Sequence, residues 1–92
     1  MTETIKLFDI ATHLNTETDI QTFMSETAQH GDSTDFIHAL GIAARARGMS
    51  EIARQTGLSR ASLYKSLNET ASPKFDTVYR VCQALGMRLT TA

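Results

Sequence analysis

The sequence predicts an all-helical fold, and three observations carry that expectation. Apolar residues recur at helical spacing along successive stretches of the chain. Alanine is abundant while aromatic residues make up only 7% of the chain, a balance that favours helix over sheet. The single proline, Pro73, lies between two of those stretches, where it interrupts no helix. With 92 residues there is room for one domain around one core. A chain of this size buries somewhat over ~60% of its unfolded surface, enough for stability without disulfides or metals. At 41% hydrophobic and 21% charged, the composition is that of an ordinary globular domain.

Taken in order, residues 4–8, TIKLF, alternate polar and apolar side chains and predict a short strand. Asp9 is the N-cap of a brief helix over 10–14, and Thr16 caps a longer one. In that longer helix Ile20, Phe23, Met24 and Ala28 form one apolar stripe, and Gly31 is its stop. Asp32 or Ser33 caps a further helix whose Phe36, Ile37, Leu40, Ala43 and Ala44 face inward, with Gly48 as its end. Its small residues Gly41, Ala43 and Ala44 allow a neighbouring helix to approach closely. A short helix from Ser50 to Thr56, a turn of Gly57, Leu58 and Ser59, and a helix from Arg60 to about Asn68 follow. After the loop around Pro73, a last helix places Phe75, Val78, Val81, Cys82 and Leu85 on one face and ends at Gly86. The tail over 87–91 alternates again and is β-prone, which makes a terminal strand pair with residues 4–8 a further expectation. Within one domain over 1–92, an acidic helical segment (1–31) thus precedes a helical core (32–86) and a β-prone tail (87–92).

The stretch from Ser50 to Leu67 reads as a helix-turn-helix unit. Ala53 stands where the two helices nearly touch, and Gly57 takes the turn position where a positive φ is cheap only for glycine. Ile52, Leu58, Leu63 and Leu67 supply the shared apolar centre. Ser59 is the N-cap of the second helix, with free amides beside it for a phosphate. The outward positions are then Arg60, Ala61, Ser62, Tyr64 and Lys65, and these residue types suit DNA. Arg60 can fork onto guanine acceptors, Ser62 can bond several base edges, and Ala61 is small enough to meet a thymine methyl. Tyr64, Lys65 and Lys74 have the reach for the phosphate backbone. Ser50, at the start of the first short helix, is grouped with this DNA-binding set. The competing reading is a surface helix with unremarkable polar residues.

The net charge of −1 is unevenly distributed. Residues 1–36 hold seven acidic residues against Lys6, a balance of −6, and residues 37–92 hold eight basic against three acidic, a balance of +5. Opposite charge in the two halves points to two partners, or to one basic face on an otherwise acidic particle.

The segment ARARGMSEIARQTGLSRASLYKSL followed by SPKFDTVYRVCQALGMRL resembles the probable addiction-module antidote proteins, HigA-like antitoxins. Gly48, Met49, Ala53, Gly57, Leu58, Ser59, Leu63, Tyr64, Lys65, Pro73, Phe75, Asp76, Thr77, Leu85 and Gly86 match the family pattern, as do Phe8-Asp9 and Gly31-Asp32. The resemblance implies a lambda-repressor-like helical bundle and a small dimeric antitoxin. It also implies a toxin partner of the RelE/ParE-like fold, usually a ribosome-dependent messenger RNA endonuclease, and repression of the shared operon. Ser66 departs from the broader pattern, which places a larger apolar residue there; Leu67 is expected to take over that packing. Base readout by Arg60, Ala61 and Ser62 does not carry over, because those positions vary with the operator. The acidic segment from Glu17 to Asp35 is the expected contact for a basic toxin face.

Other function classes find less support. His13, His30 and His38 lie on separate segments without zinc-ligand spacing, although Asp35 and His38 are one helical turn apart. Cys82 is the only cysteine; on an apolar helix face it reads as a small core residue rather than a reactive thiol. No phosphate-binding glycine loop is present. The expectation is therefore a non-enzyme with no cofactor and no metal. No apolar run of ~18 residues and no leader pattern is seen, so a cytoplasmic protein without a membrane partner is expected. Two readings remain beside the antitoxin: a stand-alone prophage or plasmid repressor without a toxin, and an interaction module that has lost DNA.

Overall fold

The computed structural model describes residues 13–68 and 70–91. These form five helices and, among the described residues, no strand. We number them α1 (Glu17–His30), α2 (Ser33–Arg47), α3 (Met49–Thr56), α4 (Arg60–Ser66) and α5 (Phe75–Ala84). No helix among the described residues is long and apolar enough to cross a membrane.

The first two helices open on the same device. Thr16 Oγ1 accepts from the Asp19 amide at 3.0 Å, and Asp19 Oδ2 accepts in return from the Thr16 amide at 3.1 Å. Asp32 and Asp35 repeat this reciprocal cap at the start of α2, at 2.9 and 3.1 Å. Each box satisfies donors that a helix N-terminus leaves without intrahelical partners. It also accounts for three of the acidic residues in the front half.

Helix α2 is the centre of the molecule. Ala39, Leu40, Gly41, Ile42, Ala43 and Ala44 are all buried, because α1, α3 and α5 pack around it. The small residues permit that approach. A Cβ added at Gly41 would lie 2.4 Å from the carbonyl oxygen of Leu67, so the end of α4 rests directly on the α2 backbone. Met24, Leu40, Ile52, Leu63, Val81 and Leu85, drawn from all five helices, are sealed from solvent together. Gly48, at φ +112°, turns the chain from α2 into α3. Gly86, at φ +78°, closes α5, where the Gly86 and Met87 amides donate to Gln83 and Cys82 at 3.0 and 2.9 Å. That paired bonding is a Schellman stop.

Several expectations need correction. The tail over 87–91 forms no strand, and residues 4–8 lie outside the described residues, as does Asp9. Leu89 is 78% exposed; with no partner strand among the described residues, the alternation of the tail buries little there. Of the brief helix expected over 10–14, only His13 and Leu14 are described, and neither is helical. Helix α3 begins one residue earlier, at Met49, whose side chain is buried. Helix α4 ends at Ser66, because Leu67 leaves the helix (φ −106°, ψ 45°) to carry its side chain into the core. Gly31 stops α1 in extended rather than left-handed conformation. What demands glycine there is space, since a Cβ would meet that of Asp35 at 2.8 Å. Ala28 is exposed rather than part of the buried stripe.

Phe75 is the clearest error. It was expected on the inward face of α5 but is 67% exposed. Standing at the first position of the helix, it overhangs the core and stacks instead on Tyr79, ring centroids 5.8 Å apart. The two rings border a groove of about 570 Å³ lined also by Met24, Ala28, Phe36, Cys82 and Leu89. Val78 and Cys82 are half-buried, and Val81 and Leu85 carry the inward face.

Candidate nucleic-acid interface

Helices α3 and α4 are joined by a turn that three residues build. Gly57 adopts the left-handed conformation (φ +77°, ψ 9°) that costs a side-chain-bearing residue strain. Thr56 is buried, and its hydroxyl donates to the Ile52 carbonyl at 2.7 Å while accepting from the Leu58 amide at 3.2 Å, so it spans the turn from inside. Ser59 Oγ accepts from the Ser62 amide at 3.0 Å and donates to the Ser62 hydroxyl at 3.0 Å, which starts α4. Behind the turn, Arg80 of α5 donates to the Thr56 carbonyl at 3.2 Å while pairing with Asp76 at 3.1 Å. The turn is thereby tied to the body of the molecule.

The apolar set beneath the turn is placed as its spacing predicted. Ile52 and Leu63 are fully buried and Leu67 is 2% exposed. Ala53 and Leu58 are partly buried against them. The polar set is placed outward: Ser59, Arg60, Ala61, Ser62, Tyr64 and Lys65 are all exposed along one short helix and its cap. Ser50 and Lys74 are exposed too, but stand on the flanks, at the second residue of α3 and just before α5. Among the described residues no hydrogen bond joins either side chain to α4.

The arginines of the basic half divide into two groups. Arg47 donates to Glu17 at 2.8 Å and to the Ala84 carbonyl at 3.2 Å, linking α2 to α1 and α5. Arg54 is paired with Glu51 on α3. The hydrogen bond from Arg54, then that from Gln55, holds the Glu51 carboxyl below the usual carboxylate range, and Glu51 in turn raises the Arg54 guanidinium. That couple is closed on itself and adds no net charge to the surface. Arg80 is engaged as above. Arg60, Lys65 and Lys74 make no ion pair among the described residues. Arg45, from the last turn of α2, places its Cζ 5.3 Å from the Tyr64 ring centroid.

Sequence reasoning missed Thr56, Arg80 and Arg45. A threonine in the last turn of a helix is a visible signal, because its hydroxyl can bond back to the preceding turn. For the two arginines the ties to the turn and to α4 had none, since Thr56 and Tyr64 lie 24 and 19 positions away, although the spacing of Asp76 and Arg80 offered a local pair. Among the described residues there is no group of three or more His, Cys, Asp or Glu side chains fit to hold a metal ion. Burial pushes the Cys82 thiol up, away from the thiolate form that reacts.

Part of the acidic half lies at the two helix caps. Asp32 and Asp35 are exposed although both are hydrogen-bonded, and Glu26 stands exposed on α1. Asp19, Glu26, His30 and Asp35 border a shallow hollow of about 650 Å³ between α1 and the start of α2.

A protein of Haemophilus influenzae strain Rd, described as uncharacterized, is 47% identical to the chain over 88 residues, covering 96% of this chain and 91% of that protein. No solved structure matches the present chain. The family model described as "Probable addiction module antidote protein" matches residues 4–92, a span that takes in the caps of α1 and α2, the Gly57 turn and the exposed α4 face together. By that match over nearly its whole length, the chain belongs to the family of probable addiction module antidote proteins.

Proposed function

We propose that this protein is the HigA-like antitoxin of a type II toxin–antitoxin module, one that neutralises a RelE/ParE-like toxin by binding it and represses its own operon through α4. Membership of an antidote family supports the toxin partner. The observation that carries the DNA-binding half is α4 itself: a capped helix whose inner face, Leu63, is fully buried while Arg60, Ala61, Ser62, Tyr64 and Lys65 all face solvent. In this reading α3–turn–α4 is a helix-turn-helix of lambda-repressor-like arrangement, and the acidic surface of α1 and the start of α2 receives the toxin. Both partners are met in the cytoplasm. Seven residues of helix read only a few base pairs, so the active species is a homodimer with recognition helices about 34 Å apart, one turn of B-DNA.

The test is a gel shift on DNA from upstream of the gene, with a panel of single-base operator variants. Arg60→Ala is expected to cost roughly 1–3 kcal/mol of binding and to relax preference at one operator position. A uniform loss across the panel would make Arg60 a phosphate contact instead. No salt-sensitive specific band for the unaltered chain would remove the repressor function.

A further inference from the structure

Arg45 was assigned no part in the DNA-binding set, yet its surroundings differ from those of its neighbours in the basic half. Arg47, two residues on, is held by Glu17 and the Ala84 carbonyl, Arg54 by Glu51, and Arg80 by Asp76 and the Thr56 carbonyl. These three knit the fold together. Arg45 is half-buried at the last turn of α2 and, among the described residues, makes neither an ion pair nor a hydrogen bond. Its guanidinium lies over the face of Tyr64, 5.3 Å from Cζ to ring centroid. Tyr64 is 41% exposed and belongs to the outward row of α4.

The ring face attracts the charge of the guanidinium without taking up its N–H donors in conventional hydrogen bonds. No donor nitrogen of this side chain is sealed from solvent without a partner. The donors therefore remain open to an acceptor from outside. Position along α4 indicates which acceptor. Tyr64 is four residues beyond Arg60, about 6 Å further along the helix axis. When the first turn of α4 faces base edges, that displacement carries the Tyr64–Arg45 pair toward the groove rim, where the sugar–phosphate strand runs.

We infer that Arg45 is a phosphate-binding and positioning residue of the operator interface: it holds the Tyr64 ring against the end of α2 and offers its own guanidinium to the DNA backbone beside the bases that α4 reads. This inference rests on the proposed role of α4. It extends the interface from one short helix onto α2, the most buried helix of the fold, and so couples the DNA contact to a rigid support. The planar, bidentate guanidinium suits a phosphate better than an ammonium would, but either carries the charge.

The test compares the full chain with Arg45→Gln and Arg45→Lys, by fluorescence anisotropy on labelled upstream DNA between about 50 and 200 mM salt. Arg45→Gln is expected to weaken binding equally across all single-base operator variants and to lower the slope of log K against log salt by about one. Arg45→Lys is expected to keep the wild-type slope with a smaller loss of affinity. Melting curves for both variants are expected to stay close to wild type, because the pair is open to solvent. A wild-type slope in Arg45→Gln, or a loss confined to one base position, would overturn the phosphate contact. A fall in melting temperature beyond about 8 °C would make Arg45 a structural residue, and would overturn it equally. If the unaltered chain forms no specific complex, the operator role of α4 fails, and this contact with it. A specific complex with an unchanged slope removes Arg45 alone.

Discussion

Ile52→Ala is expected to destabilise the protein by about 2–5 kcal/mol and to abolish DNA binding at physiological temperature. Ile52 is fully buried on α3, within the cluster shared by Leu40, Leu63, Leu67, Val81 and Leu85. Truncation removes the transfer energy of its methyl and methylene groups and leaves a cavity that four helices would have to collapse around. A domain of this size holds only about 5–15 kcal/mol of stability, so the loss is a large share of the total. The Ile52 carbonyl also receives the Thr56 hydroxyl at 2.7 Å, so disorder at this residue spreads to the turn that positions α4. Urea unfolding followed by circular dichroism measures the effect. A change below about 1 kcal/mol would show that α3 is not held by the core as described.

Gly41→Ala should also destabilise the protein, although alanine is the better helix former. Helix propensity favours the substitution by about 1 kcal/mol. Against that, the new methyl would lie 2.4 Å from the Leu67 carbonyl oxygen, and this atom is backbone, unable to swing aside as a flexible side chain would. Overpacking of this kind costs typically 1–3 kcal/mol. Leu67 is the residue that closes α4, its amide donating to Leu63 at 2.9 Å, so relief of the clash must shift α4 away from α2. The expected result is a net loss of up to about 2 kcal/mol, with a loss of DNA affinity larger than this destabilisation alone would give. A variant more stable than wild type in the same urea titration would contradict the close approach of α2 and α4.

Local features of the fold were legible because each has a local physical cause. Thr16 and Ser59 announce themselves as caps by residue type, whereas for α2 residue type leaves Asp32 and Ser33 open and the structure selects Asp32. Gly57 is demanded by a positive φ, and Leu63 and Leu67 follow from helical spacing. Errors arose where burial depends on what lies across the fold. Phe75 has the right spacing for the inner face of α5, but periodicity cannot reveal that the first turn of a helix projects beyond its neighbours. The alternation of 87–91 likewise says what a strand would need, not whether a partner strand is there to meet it.

The exposure of the candidate set was legible for the same reason. Arg60, Ala61, Ser62, Tyr64 and Lys65 are the exposed positions of one helix around buried Leu63, so they could be counted from the sequence. The supports of that helix come from elsewhere in the chain: Arg45 on α2, Arg80 on α5, and the Gly41 backbone beneath Leu67. Charge asymmetry gave the direction but not the sorting. Arg47, Arg54 and Arg80 contribute to the positive balance yet are bound to carboxylates, and only the structure separates them from Arg60 and Lys65. In the acidic half, part of the excess has a structural origin in the two capping boxes, whose carboxylates complete the first turns of α1 and α2.

The central claim, that one face meets DNA while the acidic face is left for a toxin, is tested most directly by mapping the backbone amides that respond to operator. A titration of isotope-labelled protein with duplex from upstream of the gene, followed by nuclear magnetic resonance, reports on both faces at once. The account expects shifts clustered on Ser59 to Lys65, with Ser50, Lys74 and Arg45 at the margin, and the amides from Glu17 to His30 unmoved. Shifts concentrated on Glu17 to Asp35, or none anywhere at concentrations where other duplexes also fail to bind, would contradict it.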